Sequence, residues 1–187
     1  MTMERGRSGS PLPAFLSLWF LMLLFAADGD DGASATIYRH GVIVDYGQSL
    51  AQMVAQGKYV YVDGHITANH FPIRGSGKQR VVIELVYFSS SMSAEEVRWE
   101  LESRGMRSAT LPELLAFGAT YPSYQRRFPI VALGSAWTPL RGQDYAYVPY
   151  LAERDARRVL ILEDRNRRWG YNTWIAAVQL PADMASK

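Results

Sequence analysis

The sequence predicts an α+β domain in which two helices precede a series of short strands. Residues 93–137 carry the main observation, because two capping boxes begin there, at Ser93 and at Thr110. In a capping box, a hydroxyl and a carboxylate three residues apart satisfy backbone N–H groups at a helix start. Gly105 lies between the boxes and is typical of a left-handed helix end. The segment closes with an apolar run, 129–133, which has the length of a buried strand.

Upstream of this segment, the sequence predicts a small β-α-β subdomain over residues 36–77. A third capping box at Ser49 opens its helix. The glycine-rich residues 75–77 form a flexible joint, and they mark the expected boundary with the following domain, residues 78–180. The two strands of the subdomain are predicted at residues 42–46 and 59–62.

The remaining strands follow from apolar and β-branched runs bounded by turn residues. Pro149 interrupts one of these runs, which favours an edge strand or an irregularity there. The tail, residues 181–187, is expected to be disordered. The strands are predicted at 80–88, 145–150, 159–162 and 173–178.

Composition excludes several classes of function. The chain has 187 residues, 48% of them hydrophobic, which is enough for a real core. Its net charge of +2 is too weak to indicate a nucleic-acid-binding protein. The absence of cysteine excludes disulfides, thiol catalysis and cysteine-bound metals.

Residues 1–35 read as a secretory leader. Arg5 and Arg7 precede an apolar run of 14 residues, 14–27, and small residues at 33–35 offer a cleavage pattern. The run is shorter than the roughly 20 residues that a transmembrane helix needs, so no stable span is expected after cleavage. The leader predicts an extracytoplasmic or secreted protein.

Two alternatives to export stay open. In the first, the start is mis-assigned, and a cytoplasmic protein begins between Thr36 and Val44. In the second, the apolar run is retained as a membrane anchor. The acidic residues Asp28, Asp30 and Asp31, which separate the run from the small residues, are unusual for a cleaved leader.

Three motifs in this order resemble the C-type lectin-like fold. They are A-T-L-x-E-L-L at 109–115, I-x-A-L-G-x-x-W at 130–137 and W-x-x-x-x-W-I-A-A-V at 169–178. The resemblance covers about residues 80–179 and implies a buried signature strand and a last strand that pairs back with the first. The calcium motifs E-P-N, Q-P-D and W-N-D are absent, so calcium-dependent sugar binding is not expected.

A closer resemblance is to small uncharacterised proteins of candidate-phylum bacteria. It spans nearly all of residues 42–178 and implies no activity. Such proteins usually lack a long apolar leader, which favours the mis-assigned start. The shared motifs are V-x-V-D-Y at 42–46, I-T-A-x-H-F-P at 66–72, A-T-L-x-E-L-L-A-x-G at 109–118, F-P-I-V-A-L-G-S-x-W at 128–137 and V-P-Y-L at 148–151.

The preferred function is a non-catalytic binding module for an unidentified protein or a polar or anionic ligand. In lectin-like folds, the loops before the closing strand build the ligand face. The guanidinium groups of Arg165, Arg167 and Arg168 beside aromatic rings suit such recognition. The acidic residues interleaved with the arginines favour the alternative, in which the arginines form surface ion pairs. We expect Trp169, Tyr171 and Asn172 at the surface and Trp137 and Trp174 in the core. The candidate ligand-binding residues are Arg165, Arg167, Arg168, Trp169, Tyr171, Asn172 and Tyr147.

The alternative is a metal-dependent hydrolase that uses His65 and His70, with Asp45 and Asp63 as further ligands. Two histidines five residues apart do not share a helix face, unlike the pair of a zinc helix. The ordinary interpretation is therefore that both histidines are exposed or hydrogen-bonded. Ser135 lacks the sequence context of a catalytic serine. No catalytic residue, bound metal or cofactor is predicted.

Overall fold

The computed structural model describes residues 34–140 and 145–180. Within them, eight strands form a mixed sheet, and helices lie on both of its faces. The leader before residue 34 and the predicted tail lie outside these residues. The helices are α1 (Leu50–Gln56), α2 (Ala94–Ser103) and α3 (Leu111–Thr120), and a 3-10 turn spans Tyr124–Arg126. The strands are β1 (Ala35–Asp45), β2 (Tyr61–Val62), β3 (Lys78–Phe88), β4 (Ser91–Met92), β5 (Met106–Ser108), β6 (Ile130–Val131), β7 (Tyr147–Arg154), β8 (Arg157–Asp164), β9 (Trp169–Gly170) and β10 (Trp174–Gln179).

The strand order of the sheet is β1-β3-β10-β6-β7-β8-β2, and β5 also pairs with β10. Strand β3 is antiparallel to both β1 and β10, whereas β10 is parallel to β6. Strands β6, β7 and β8 form an antiparallel run, which β2 extends in parallel. The short pair β4–β9 forms a separate two-stranded sheet. The α+β class is thus confirmed.

The predicted subdomain at 36–77 shares this sheet with residues 78–180. Strand β1, predicted at 42–46, extends from Ala35 to Asp45 and pairs with β3 along its whole length. Helix α1 packs against α3, so both segments also share one core. The pairing of β1 with β3 thus joins the segments before and after the predicted boundary at residues 75–77.

The helix starts follow the predicted capping boxes. The Ser49 and Ser93 hydroxyls each accept a bond from the N–H three residues on, and the box is closed by Gln52 and Glu96. At α3 the Glu113 carboxylate accepts bonds from the N–H of Thr110, at 2.7 Å, and from its hydroxyl, at 2.9 Å. These bonds satisfy backbone donors that a helix start otherwise leaves free.

Two hydrophobic clusters lie on opposite faces of the sheet. Along β3, Ile83 and Leu85 pack in the cluster that contains α1 and α3, whereas Val86 and Phe88 pack in the cluster that contains α2. Burial of each such side chain stabilises the fold by roughly 1.5–3 kcal/mol. Because both faces are covered, the central strands read as continuous apolar runs rather than alternating ones.

A buried arginine in β8 joins the sheet to two helix ends. Arg158 is only 8% exposed, and its guanidinium donates to the carbonyls of Gly57 and Gly118, both at 2.5 Å. These carbonyls belong to the C-terminal ends of α1 and α3, which carry partial negative charge. The guanidinium also donates to Gln125 Oε1, at 3.1 Å, and lies over the Tyr59 ring.

Replacing Arg158 should destabilise the fold strongly. In an Arg158→Met variant, the carbonyls of Gly57 and Gly118 lose their buried donor, and each unsatisfied group costs about 1–3 kcal/mol. We therefore expect the free energy of unfolding to fall by about 3 kcal/mol in urea titrations. The matched control is Arg157→Met at the exposed neighbouring position, with a change within about 0.5 kcal/mol. Equal losses in both variants would contradict this role.

Candidate functional site

The arginines of the predicted ligand loop are paired within the chain. Arg165 lies 2.9 Å from Glu95, and Arg168 lies 3.1 Å from Glu96, both at the start of α2. Arg167 pairs with Glu163, four residues before it in the chain, at 3.3 Å. The loop therefore docks onto α2 through the ion pairs of Arg165 and Arg168. Only the Arg167–Glu163 pair uses one of the acidic residues that interleave with the arginines in the sequence.

Trp169 is buried, so the prediction that it lies at the surface is wrong. Its side chain is 1% exposed, its indole N–H donates to the Arg165 carbonyl at 3.0 Å, and Arg167 covers its ring at 4.9 Å. The cause is the β4–β9 pair, which draws the loop against α2. Tyr171 and Asn172 are exposed, as predicted, and Tyr171 is 66% exposed.

The two candidate histidines form an aromatic stack. His65 and His70 lie with their rings 4.7 and 4.4 Å from that of Trp137, which is half-buried and also contacts Tyr147. His65 Nδ1 is 3.1 Å from Asp63, and His70 Nδ1 is 2.8 Å from the His65 carbonyl. Within the described ranges, no three histidine, aspartate or glutamate side chains are grouped so that they could hold a metal ion.

The remaining candidates for chemistry make structural bonds. Ser135 accepts a bond from the N–H of Leu111, at 2.9 Å, and so serves the start of α3. Asp45 accepts bonds from Gly47 and Gln48 in the turn that follows β1. Ser135 shares a cleft of about 280 Å³ with His70. Among the contacts of the described residues, however, no hydrogen bond joins these two side chains, and the Ser135 hydroxyl is engaged at the start of α3.

A groove of about 400 Å³ opens where α3 ends, and we call it the aromatic groove. A strand rises about 3.3 Å per residue and a helix 1.5 Å, so the ten-residue α3 cannot cover the eleven-residue β1 and β3. The uncovered end of the sheet forms the floor of the groove, and the chain after α3 forms its wall. The lining residues are Tyr38, Leu85, Ser123, Tyr124, Arg127, Phe128 and Trp174.

Trp174 is the centre of the aromatic groove. The rings of Tyr38 and Phe128 stand edge-on to it, with centroids 5.3 and 5.8 Å away at 63° and 62°. Tyr87 adds a third ring at 5.5 Å. Trp174 is half-buried rather than in the core, while Tyr38 is 51% and Phe128 46% exposed. Clustered exposed rings of this kind mark interaction sites more often than scattered ones do.

The wall of the groove is held by a buried amide. Gln125 is 2% exposed, and its amide donates to the carbonyls of Ala152, at 2.6 Å, and Val159, at 3.2 Å. Its oxygen accepts the bond from Arg158. The 3-10 turn after α3 is therefore fixed to the β7–β8 hairpin, and the turn positions the neighbouring wall residues.

Arg127 is the one charged residue that lines the aromatic groove. It is exposed, and it makes no ion pair with any carboxylate in residues 34–140 or 145–180. Hydroxyls of Ser123, Tyr38 and Tyr124 supply the other polar atoms of the lining. The groove thus offers ring faces with one free cation at the rim, a combination that suits apolar groups next to a negative charge.

His40 packs behind the groove wall in a cluster of rings. Its ring lies 4.6 Å from Tyr124, 5.0 Å from Tyr121 and 5.5 Å from Phe117. Burial lowers its pKa, and its Nε2 is buried without a hydrogen-bond partner. His40 is therefore neutral at pH 7 and supports the wall through packing.

Comparisons with known proteins do not indicate a function. No family model, no curated protein and no solved structure matches this chain. Among the residues that the structure describes, no helix has the length and apolar character needed to cross a membrane. The site must therefore be judged from its own contacts, burial and charge.

Because Trp169 is buried, its replacement should lower the stability of the fold, and this can be measured. A Trp169→Ala variant should lose about 3–5 kcal/mol of unfolding free energy, because a large buried ring leaves a cavity. A Tyr171→Ala variant, two residues on, should stay within about 0.5 kcal/mol of the parent. Chemical denaturation followed by circular dichroism measures both. A small effect of Trp169→Ala would show that this ring is a surface group after all.

The lowered pKa of His40 makes stability depend on pH. Below its ordinary value of 6.5, the unfolded chain binds a proton that the folded chain does not bind. Unfolding free energy should therefore fall as pH falls through and below 6.5. A His40→Gln variant should lose this part of the slope in urea titrations across pH 5–8. The control His65→Gln leaves His40 in place and should keep the slope; loss of the slope in both variants would contradict the assignment.

Proposed function

We propose that this chain is a non-catalytic binding module whose ligand places a ring or another apolar group in the aromatic groove. The observation that carries the proposal is the pair of exposed rings, Tyr38 and Phe128, which both stand edge-on to Trp174. The volume of about 400 Å³ lies within the range of about 300–1,000 Å³ typical of ligand pockets. Burial of ring faces would supply the affinity, and Arg127 would favour an anionic neighbour.

The lining residues support binding better than catalysis. General acid–base chemistry needs a positioned group that can exchange a proton near neutral pH. The groove is lined by one arginine, one serine, one leucine and four aromatic residues, and its lining contains no histidine or carboxylate. The metal-dependent hydrolase has weaker support, because His65 and His70 stack on Trp137 and Asp63 contacts only His65.

A lectin-like arrangement of residues 78–180 is part of the same proposal. Two contacts support it: β10 pairs antiparallel with β3, so the last strand returns to the first, and the signature strand β6 is buried beside β10. The ligand would then be recognised by rings rather than through calcium. If the predicted leader directs export, the groove would meet its ligand outside the cytoplasm.

The predicted loop remains a second surface to test. Tyr171 is 66% exposed, and Asn172 beside it is exposed with a positive φ of 62°. Its arginines, however, are already engaged by Glu95, Glu96 and Glu163. Ligand binding there would have to displace ion pairs, whereas Arg127 in the groove is free to receive a ligand.

The proposal predicts that simple ring compounds bind in the aromatic groove. Indole-3-acetate, benzoate and methyl glycosides can be titrated into the 15N-labelled protein, with the Trp174 indole N–H as the reporter. We expect a saturable shift of that signal for at least one ring-bearing anion. Tyr38→Ala and Phe128→Ala should each weaken binding by about tenfold, because each removes a stacking surface.

The matched control is Tyr171→Ala, which removes an exposed tyrosine from the predicted loop. It should leave the affinity unchanged. If the ligand instead shifts NMR signals of residues 165–172, and Tyr38→Ala does not change these shifts, the binding site lies in that loop. Absence of binding by every probe, with all variants folded, would refute a ring-binding groove.

A further inference from the structure

Strand β1 lies at one edge of the sheet that residues 34–140 and 145–180 form, and β2 lies at the other. The register of β1 with β3 shows which backbone groups of β1 point away from β3. The Tyr46 N–H donates to the Gly77 carbonyl at 2.9 Å, and the Ser89 N–H donates to the Ser34 carbonyl at 3.3 Å. The two bonds lie at opposite ends of the β1–β3 pair. On the β1 side they use Ser34 and Tyr46, which both have even residue numbers. In an antiparallel ladder such pairs alternate with pairs that are not hydrogen-bonded. The odd-numbered residues of β1 therefore direct N–H and C=O away from β3.

One independent contact supports this parity. The Tyr121 hydroxyl donates to the Gly41 carbonyl at 3.0 Å, so this odd-numbered carbonyl points away from β3 and already accepts one bond. A carbonyl has two lone pairs and can accept a second bond. The outward backbone groups of Ile37, Arg39 and Gly41 thus form a row of donors and acceptors. Within residues 34–140 and 145–180, no strand lies on this side of β1, opposite to β3.

This free edge borders the aromatic groove. Tyr38 lies on β1 between Ile37 and Arg39, and its ring is one side of the groove. A strand added beside β1 would lie about 4.8 Å away and would point every second side chain toward the face that carries Tyr38. The backbone edge and the groove can therefore engage one extended ligand together.

We propose that the ligand is an extended polypeptide segment that adds to β1 as a further strand, along Ile37 to Gly41. One of its aromatic or aliphatic side chains enters the aromatic groove, and an acidic residue nearby meets Arg127. This inference rests on the proposed function and names its ligand class. Backbone bonds supply affinity that does not depend on sequence, and the groove supplies the selectivity, as in other cases of strand addition.

The positive charge of Arg127 in the groove favours a peptide with an acidic residue over a basic peptide. Arg127 has no partner carboxylate in the described chain, so it attracts an acidic residue and repels lysine or arginine. Arg39 on the same edge is held by Glu84 at 3.1 Å, which leaves Arg127 as the free cation. A second copy of the chain is the competing occupant of this edge, and it is one outcome of the test below.

The test uses an acetylated nine-residue peptide of alternating threonine and valine, with a central tryptophan and an aspartate at each end. Two derivatives carry backbone N-methyl groups on alternate residues, on one edge or on the other. Strand addition uses the N–H groups of only one edge, so we expect one methylated peptide to bind like the parent. The other should bind at least tenfold more weakly by calorimetry.

Variants of the protein test the same edge. Ile37→Pro removes an outward N–H and leaves the bonds to β3 in place, so it should weaken the peptide at least tenfold with the thermal midpoint nearly unchanged. The matched control is Ile43→Pro, also at an odd position of β1 but beyond the proposed contact, which should retain binding. Tyr38→Ala should weaken the tryptophan peptide more than one with central alanine.

The outcomes separate this inference from the proposed function. Equal binding of both methylated peptides, together with indole-3-acetate binding that depends on Tyr38, would overturn strand addition and leave the groove. A failure of both the peptide and indole-3-acetate would overturn both. Concentration-dependent dimers that Ile37→Pro converts to monomers would show that a second copy occupies the edge, and this would also overturn the peptide proposal.

Discussion

The buried guanidinium of Arg158 holds together the parts that shape the groove. It bonds to the carbonyls of Gly57 and Gly118 at the ends of two helices and to the amide of Gln125. Helix ends have free carbonyls that water satisfies at a surface, but here they are buried and need a donor. Because Gln125 also bonds to the β7–β8 hairpin, the turn after α3 keeps one position. The residues of the groove wall that follow this turn are held in place by the same bonds.

The groove exists because the sheet is longer than the helix that covers it. Where α3 stops, the sheet face needs large side chains that shield one another, and rings that meet edge to face do this well. Trp174 supplies the middle of the floor, with Tyr38 and Phe128 around it. The free backbone edge of β1 has a separate cause, because β1 is the terminal strand of the sheet that the described residues form. The proposed ligand site therefore combines an uncovered end of the sheet face with an unpaired strand edge.

The predicted loop and the observed groove show where local patterns mislead. Arg165, Arg168 and Trp169 have the composition of a recognition surface, yet two ion pairs and the β4–β9 pair turn them toward α2. Trp174, in contrast, stands in an apolar run that is typical of the core, but it lies half-exposed at the sheet end. Composition alone does not reveal what packs above a residue.

The sequence by itself determined the local elements: the helix starts at Ser49, Ser93 and Thr110, the left-handed Gly105 and the α+β class. These depend on bonds between residues a few positions apart, which a linear pattern contains. Only the tertiary structure decided that Tyr38, Phe128 and Trp174 meet in one groove, that Arg158 is buried, and that β1 lies at an edge of the sheet that the described residues form. Those contacts join residues from 33 to more than 100 positions apart, and the register of distant strands sets them.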